Sequence, residues 1–165
     1  MRKILWFVGC VLMLGVGHVT AAKADADQDL TKNWNLRAGF FVPERQASRQ
    51  AEGDLWFTIG AERDFKTMER YKLSISMDYY GSGSLYNIPI KINAIGVTNK
   101  LRYGVGAGVG ISHDMQHGIM GFAYHLMVGY NVGEGANPLA VELKYNVQST
   151  SSALNGFSFT IGGHF

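Results

Sequence analysis

The sequence predicts an all-β chain, an eight-stranded antiparallel up-and-down transmembrane β-barrel. Three observations predict it. Apolar residues recur with period two through eight segments of about ten residues, the signature of strands with two unlike faces. Only 17% of the 165 residues are Asp, Glu, Lys or Arg, whereas 47% are hydrophobic and 21 are Gly; an ordinary soluble domain carries about 25% charge. Finally, through their central positions the eight apolar faces carry no Asp, Glu, Lys or Arg, while the opposite faces hold Gly, Ser, Thr, Asn and a few charges. A soluble barrel would turn its apolar face inward and need a densely charged exterior. This thinly charged, glycine-rich face suits a crowded interior, which leaves the apolar face for lipid.

The elements follow in order. Residues 1–24 read as a cleaved signal peptide: Arg2 and Lys3, an apolar run from Ile4 to about Val19, then Ala22-Lys23-Ala24 as the cleavage site. That run of about 16 residues falls short of the roughly 20 a spanning helix needs. Cys10 lies inside the run rather than at the cleavage point, which argues against lipidation. Removing 1–24 leaves a 25–165 barrel domain of 141 residues without Cys, with 12 Lys+Arg against 13 Asp+Glu and a net charge of −1. Cys-ligated metals, Cys nucleophiles and disulfides are thereby excluded. The hydrophobic content excludes disorder, and the absence of a basic stripe argues against nucleic acid.

Strands are expected at about 33–43, 54–65, 70–80, 86–97, 101–112, 119–132, 138–148 and 156–165. Their apolar faces run through Trp34, Leu36 and Phe40; Leu55, Phe57 and Ile59; Tyr71, Leu73 and Ile75; Ile88, Ile90 and Ile92; Tyr103, Val105 and Val109; Phe122, Tyr124 and Leu126; Leu139, Val141 and Tyr145; and Phe157, Phe159 and Ile161. The alternation blurs at Ala94-Ile95, where a bulge is expected. Turn-forming clusters separate the strands, among them Gly81-Ser82-Gly83-Ser84 and Gly133-Glu134-Gly135-Ala136-Asn137. Two aromatic girdles are expected: Trp34, Tyr71, Tyr103, Tyr130, Tyr145 and Phe165 at one rim, and Phe40, Tyr79, Phe122 and Phe157 toward the other.

The last nine residues, Phe157-Ser158-Phe159-Thr160-Ile161-Gly162-Gly163-His164-Phe165, resemble the C-terminal assembly signal of bacterial outer-membrane barrels. Phe157, Phe159, Ile161 and Phe165 carry the resemblance; Gly163 departs from the apolar residue usual there. The chain from 33 to 165 is similar to the small OmpA/OmpX-type barrels. The resemblance implies a Gram-negative outer membrane, both termini in the periplasm, and two partners: outer-membrane lipid and, during biogenesis, the barrel assembly machinery. Residues 44–53, 81–86, 113–118 and 149–155 would then be external loops, and 66–69, 98–100 and 133–137 periplasmic turns.

Eight strands leave a lumen that side chains just fill. Its inward charges are Arg37, Glu62, Lys72, Asp78, Lys91, Arg102, Glu142 and Lys144. Hairpin symmetry sets Glu62 level with Arg37 and Lys72, and Glu142 beside Lys144. Two readings are open: a plug of mutually neutralising pairs, since buried charges must be paired, or a gated polar pathway. Inward-facing Gly104, Gly106, Gly108 and Gly110 are expected to relieve crowding, with room for Trp56 and Tyr80.

Candidate catalytic groups are sparse. His113, Asp114 and His117 share a loop, and His125 faces inward near Glu142 and Lys144. Lipid A deacylases of this size need a His and a Ser two apart on a late strand; here that strand reads Leu143-Lys144-Tyr145-Asn146-Val147-Gln148-Ser149, without His. The palmitoyltransferase kind needs an N-terminal amphipathic helix, for which residues 25–33 are too short and polar. The expectation is therefore a non-enzymatic integral barrel with no cofactor or metal, acting structurally or as a surface-interaction protein through short loops. The charged loop 44–53 is the candidate contact surface. The alternatives are a narrow small-solute channel and a lipid A-modifying enzyme.

Overall fold

The computed structural model describes residues 34–68, 71–114, 118–132 and 139–164. Eight strands, β1 (Trp34–Pro43), β2 (Trp56–Thr67), β3 (Tyr71–Ser82), β4 (Leu85–Thr98), β5 (Leu101–His113), β6 (Gly118–Val132), β7 (Leu139–Gln148) and β8 (Gly156–His164), pair in sequence order. β8 returns to β1, closing an antiparallel barrel without an edge. The elements sit within a few residues of their expected bounds. The expected loop 44–53 carries a short helix, α1 (Gln46–Glu52), and the last loop carries a 3-10 turn (Ser152–Leu154). Neither has a period-two pattern to announce it. The loop after β3 is only residues 83–84, because Leu85 already pairs with Ser82. The signal-peptide reading of 1–24 and Phe165 both lie outside the described residues.

The register fixes the tilt. Hydrogen-bonded neighbours run from Pro43 through Gly156, Asn146, His125, Gly106, Asn93 and Ser74 to Asp64. Asp64 lies one residue beyond Arg63, which pairs with Trp34. One circuit therefore slips the strands by ten residues, which tilts them roughly 35–45° from the barrel axis.

Polarity is inverted relative to a soluble barrel. Ile92 and Leu126 are 60% and 58% exposed, whereas Lys91 and Glu62 are each 2% exposed. Apolar side chains face outward on all eight strands, among them Leu36, Ile59, Ile75, Val105, Met120, Val141 and Phe159. Polar side chains face inward: Asn35, Thr58, Ser76, Asn93, Ser112, Asn146 and Thr160 are all buried.

Two expectations about local geometry are corrected. No bulge interrupts β4: Leu73–Ala94 and Lys72–Ile95 pair in unbroken register, and Ile95 blurs the alternation because it is an apolar residue buried on the inward face. The irregularity lies in β2 instead. Asp64 pairs with Ser74 but Lys66 with Leu73, so Phe65 is an extra residue. Tyr145 belongs to the loop-end rim rather than the turn-end one. It pairs with Phe157, and its hydroxyl donates to Glu44 Oε2 at 2.7 Å.

Candidate functional site

Seven of the charged side chains on the lumen face connect in one chain of alternating sign. Lys91 Nζ lies 3.3 Å from Asp78 Oδ2. Arg37 Nη2 and Nε donate to Asp78 Oδ1 at 2.6 and 3.0 Å. Arg37 Nη1 donates to Glu62 Oε2 at 3.1 Å. Glu62 Oε1 faces Arg102 Nη2 at 3.7 Å, and Arg102 Nη2 reaches Glu142 Oε1 at 3.2 Å. Lys144 Nζ closes the series 3.3 Å from Glu142 Oε2. The alternation is what makes burial tolerable: each carboxylate lies between two cations, so no charge in the chain is left without its counter-charge. Asn93 Nδ2 adds a bond to Glu62 Oε2 at 3.3 Å and one to Ser74 Oγ at 3.1 Å.

Seven of the eight expected lumen charges therefore join. Lys72 does not. It pairs with Asp64 Oδ2 at 3.1 Å, and its side chain is 40% exposed. The expected symmetry placed the β2–β3 turn too early, and the Phe65 bulge shifts the pairing again, so Lys72 lies opposite Thr67 rather than Glu62. Arg102 takes the place expected of Lys72 beside Glu62.

A second layer closes the loop end of the lumen. Phe41, Trp56, Tyr80, Leu85 and Leu154 form one buried apolar cluster. Phe41 stacks on Tyr80 at 4.3 Å between ring centroids and tilts against Trp56 at 5.4 Å. Tyr80 accepts from Asn87 Nδ2 at 2.7 Å, and Trp56 Nε1 donates to Gly53 O at 2.9 Å, so the polar tips of these rings are satisfied. The sequence reading missed this stopper. Its signal was present in the apolar doublets Phe40-Phe41, Leu55-Trp56, Tyr79-Tyr80 and Leu85-Tyr86, each beside a loop, where one partner must point inward.

The loops tie the stopper down. Ser48 Oγ of α1 donates to Ala153 O at 2.8 Å, and Glu44 N to Asn155 O at 2.8 Å. Arg45 Nη1 donates to Ser152 Oγ at 3.2 Å. Glu52 Oε1 accepts from Ser84 N at 3.0 Å and from Ser84 Oγ at 2.8 Å. These two donors hold the Glu52 carboxyl below the usual carboxylate range. Gly83 has φ +54°, and a Cβ there would meet the Glu52 carboxylate, so this two-residue connection favours glycine.

The other candidate groups resolve differently. His113 Nδ1 donates to the carbonyl of Ser84 at 2.9 Å, and its ring stacks on Tyr86 at 5.8 Å. Ser84 thus meets Glu52 through its hydroxyl and backbone N–H and meets His113 through its carbonyl, which stitches the loops together. His117 lies outside the described residues. His125 is buried at 2% exposure and faces Gly106. The glycine row of β5 makes room for other partners than expected. A Cβ at Gly106 would meet Asn93 and His125, and one at Gly110 would meet Asn87 and Gln148; Trp56 and Tyr80 pack in the stopper instead. Gly104 and Gly108 leave space for the backbone of β4. The sequence matches no family model, and no curated protein matches it.

Proposed function

We infer that this chain is an integral outer-membrane barrel, closed to solutes, with a structural or surface-interaction role through its loop end. One observation carries the reading: the apolar face is exposed on every strand, while seven lumen charges, four cations and three carboxylates, pair along a continuous chain. An exposed belt of this extent is far beyond the few hundred Å² usual on soluble monomers, and a closed barrel satisfies every backbone group against lipid. Export follows from residues 1–24, and assembly from Phe157, Phe159, Ile161 and Phe165. Outer-membrane lipid and the assembly machinery are its partners on this reading.

The test is reconstitution. Refolded protein should insert into lipid vesicles, show a heat-modifiable band on gels, and give no stable conductance in planar bilayers. A chain that stays soluble without detergent would end the membrane reading. The second reading, a narrow channel, rests on the polarity of the lumen, and a large steady conductance would promote it.

A further inference from the structure

The two ends of the barrel differ in charge, and the β2 bulge sharpens the difference. Strict alternation would send Lys66 inward, like Glu62 and Asp64. The extra residue at Phe65 resets the phase. Lys66 pairs with Leu73 and is exposed, and Phe65 beside it is 57% exposed. Bulges commonly re-aim side chains in this way. On the same strand the Arg63 guanidinium lies 5.6 Å over the Trp34 ring. Tyr71, Tyr103 and Tyr130 continue this rim on β3, β5 and β6, each more than two-fifths exposed. The result is an aromatic collar at the turn end with two outward cations in it. Asp64, between them in sequence, is paired with Lys72. Across residues 63–72 the sequence holds Arg63, Lys66, Arg70 and Lys72 against Asp64 and Glu69.

The loop end is the reverse. Residues 44–54 hold Glu44, Glu52 and Asp54 against Arg45 and Arg49. Both arginines are engaged by loop partners: Arg45 with Ser152, and Arg49 with the carbonyls of Pro43 and Glu44 and with Asp54. Asp114 adds another carboxylate at that end.

We propose that the turn-end collar, through Arg63 and Lys66, is a docking face for anionic phospholipid headgroups. The proposal rests on the membrane reading above and assigns this rim to the leaflet richer in such lipids. Aromatic rings seat at headgroup depth. The guanidinium fork matches phosphate oxygens two at a time. The lysine stem runs along apolar surface while its ammonium reaches the phosphate layer. Both cations then act on the same shell of lipid.

The experiment measures lipid selectivity on the intact barrel. The protein is refolded in phosphatidylcholine vesicles containing trace spin-labelled phosphatidylglycerol or, separately, spin-labelled phosphatidylcholine. Electron spin resonance then reads the fraction of each label immobilised at the protein wall. Wild type should prefer the anionic label by about fivefold at low salt, as expected for basic groups near a headgroup layer, and lose the preference at high salt. The double variant Arg63→Gln/Lys66→Gln should bring the ratio near one, while Arg45→Gln at the loop end should leave it at the wild-type value. The single change Lys66→Gln, at an exposed position, should remove about half of the preference on a logarithmic scale, and it carries the test where the double variant does not refold. No preference in wild type, or full preference retained in the refolded variants, overturns the proposal. Wild type that fails to insert overturns the membrane reading itself, so the two failures are distinguishable.

Discussion

Glu62 shows how much rests on single side chains in the lumen. Its two oxygens hold Arg37 and Arg102, and Asn93 supports one of them. Glu62→Gln keeps the shape and removes the charge, leaving two guanidiniums facing each other without it. Breaking one member of a buried pair costs about 3–5 kcal/mol. The urea midpoint of the refolded variant should therefore fall well below wild type, with Asp64→Asn as a milder comparison because its partner Lys72 is partly exposed. Equal midpoints would mean that water already screens the chain. At the loop end, Glu52 behaves as a lowered carboxyl. Its folded-state pKa lies below the unfolded one, so its contribution to holding Ser84 is present at neutral pH and is lost as pH falls through the folded value. The protection factors of the amides at residues 83–84, taken relative to the intrinsic exchange rate at each pH, should fall on acidification below the usual carboxylate range. Glu52→Gln should show that lowered protection already at neutral pH, with no further change on acidification.

Among the elements, each strand states its own faces, and this is why strands and facing were legible in the sequence. Period two needs no knowledge of neighbours. Register does. Where Lys72 sits depends on the bulge at Phe65 and on the length of the turn that follows, and no alternation pattern encodes either, since Phe65 and Lys66 read as an ordinary apolar–polar step. Tyr145 is a different case: it lies three residues from the loop end of β7, so the bounds of its own strand already set its rim. The stopper escaped because α1 and the 152–154 turn owe their positions to loop-to-loop bonds such as Ser48 to Ala153. Facing is directly testable. Ile90 and Val141 are outward and exposed; Ile90→Arg or Val141→Arg should each cost roughly 2–4 kcal/mol in a bilayer if the site lies near the midplane. Both changes should be tolerated in the unfolded chain, so the loss will appear in the unfolding midpoint. No loss at either site would mean that the apolar wall does not meet lipid.

At the scale of the whole molecule, the lumen carries two barriers in series. The ion-pair chain spans Arg37, Glu62, Arg102 and Glu142 in the turn-side halves of their strands and Asp78, Lys91 and Lys144 about mid-strand. Above it lies the stopper of Phe41, Trp56, Tyr80, Leu85 and Leu154. The two fail by different physics. A permeating ion can exchange places with a charged partner, but close pairs at low effective dielectric are held by several kcal/mol. An apolar stopper excludes ions because nothing in it replaces their water. Cutting one barrier leaves the other, so neither Glu62→Gln nor Leu154→Ala alone should give more than brief, small openings. Leu154→Ala opens a cavity in the stopper and should by itself lower stability by about 2–5 kcal/mol. Combined, the two changes should give measurable conductance. That current should prefer anions, because Arg37, Lys91, Arg102 and Lys144 would then line the path against Asp78 and Glu142. Planar-bilayer recordings of wild type, both single variants and the double variant decide the matter. Additive small effects, with no more current in the double variant than in the singles, would show that the barriers are not in series. A large steady wild-type current would show that neither one closes the barrel.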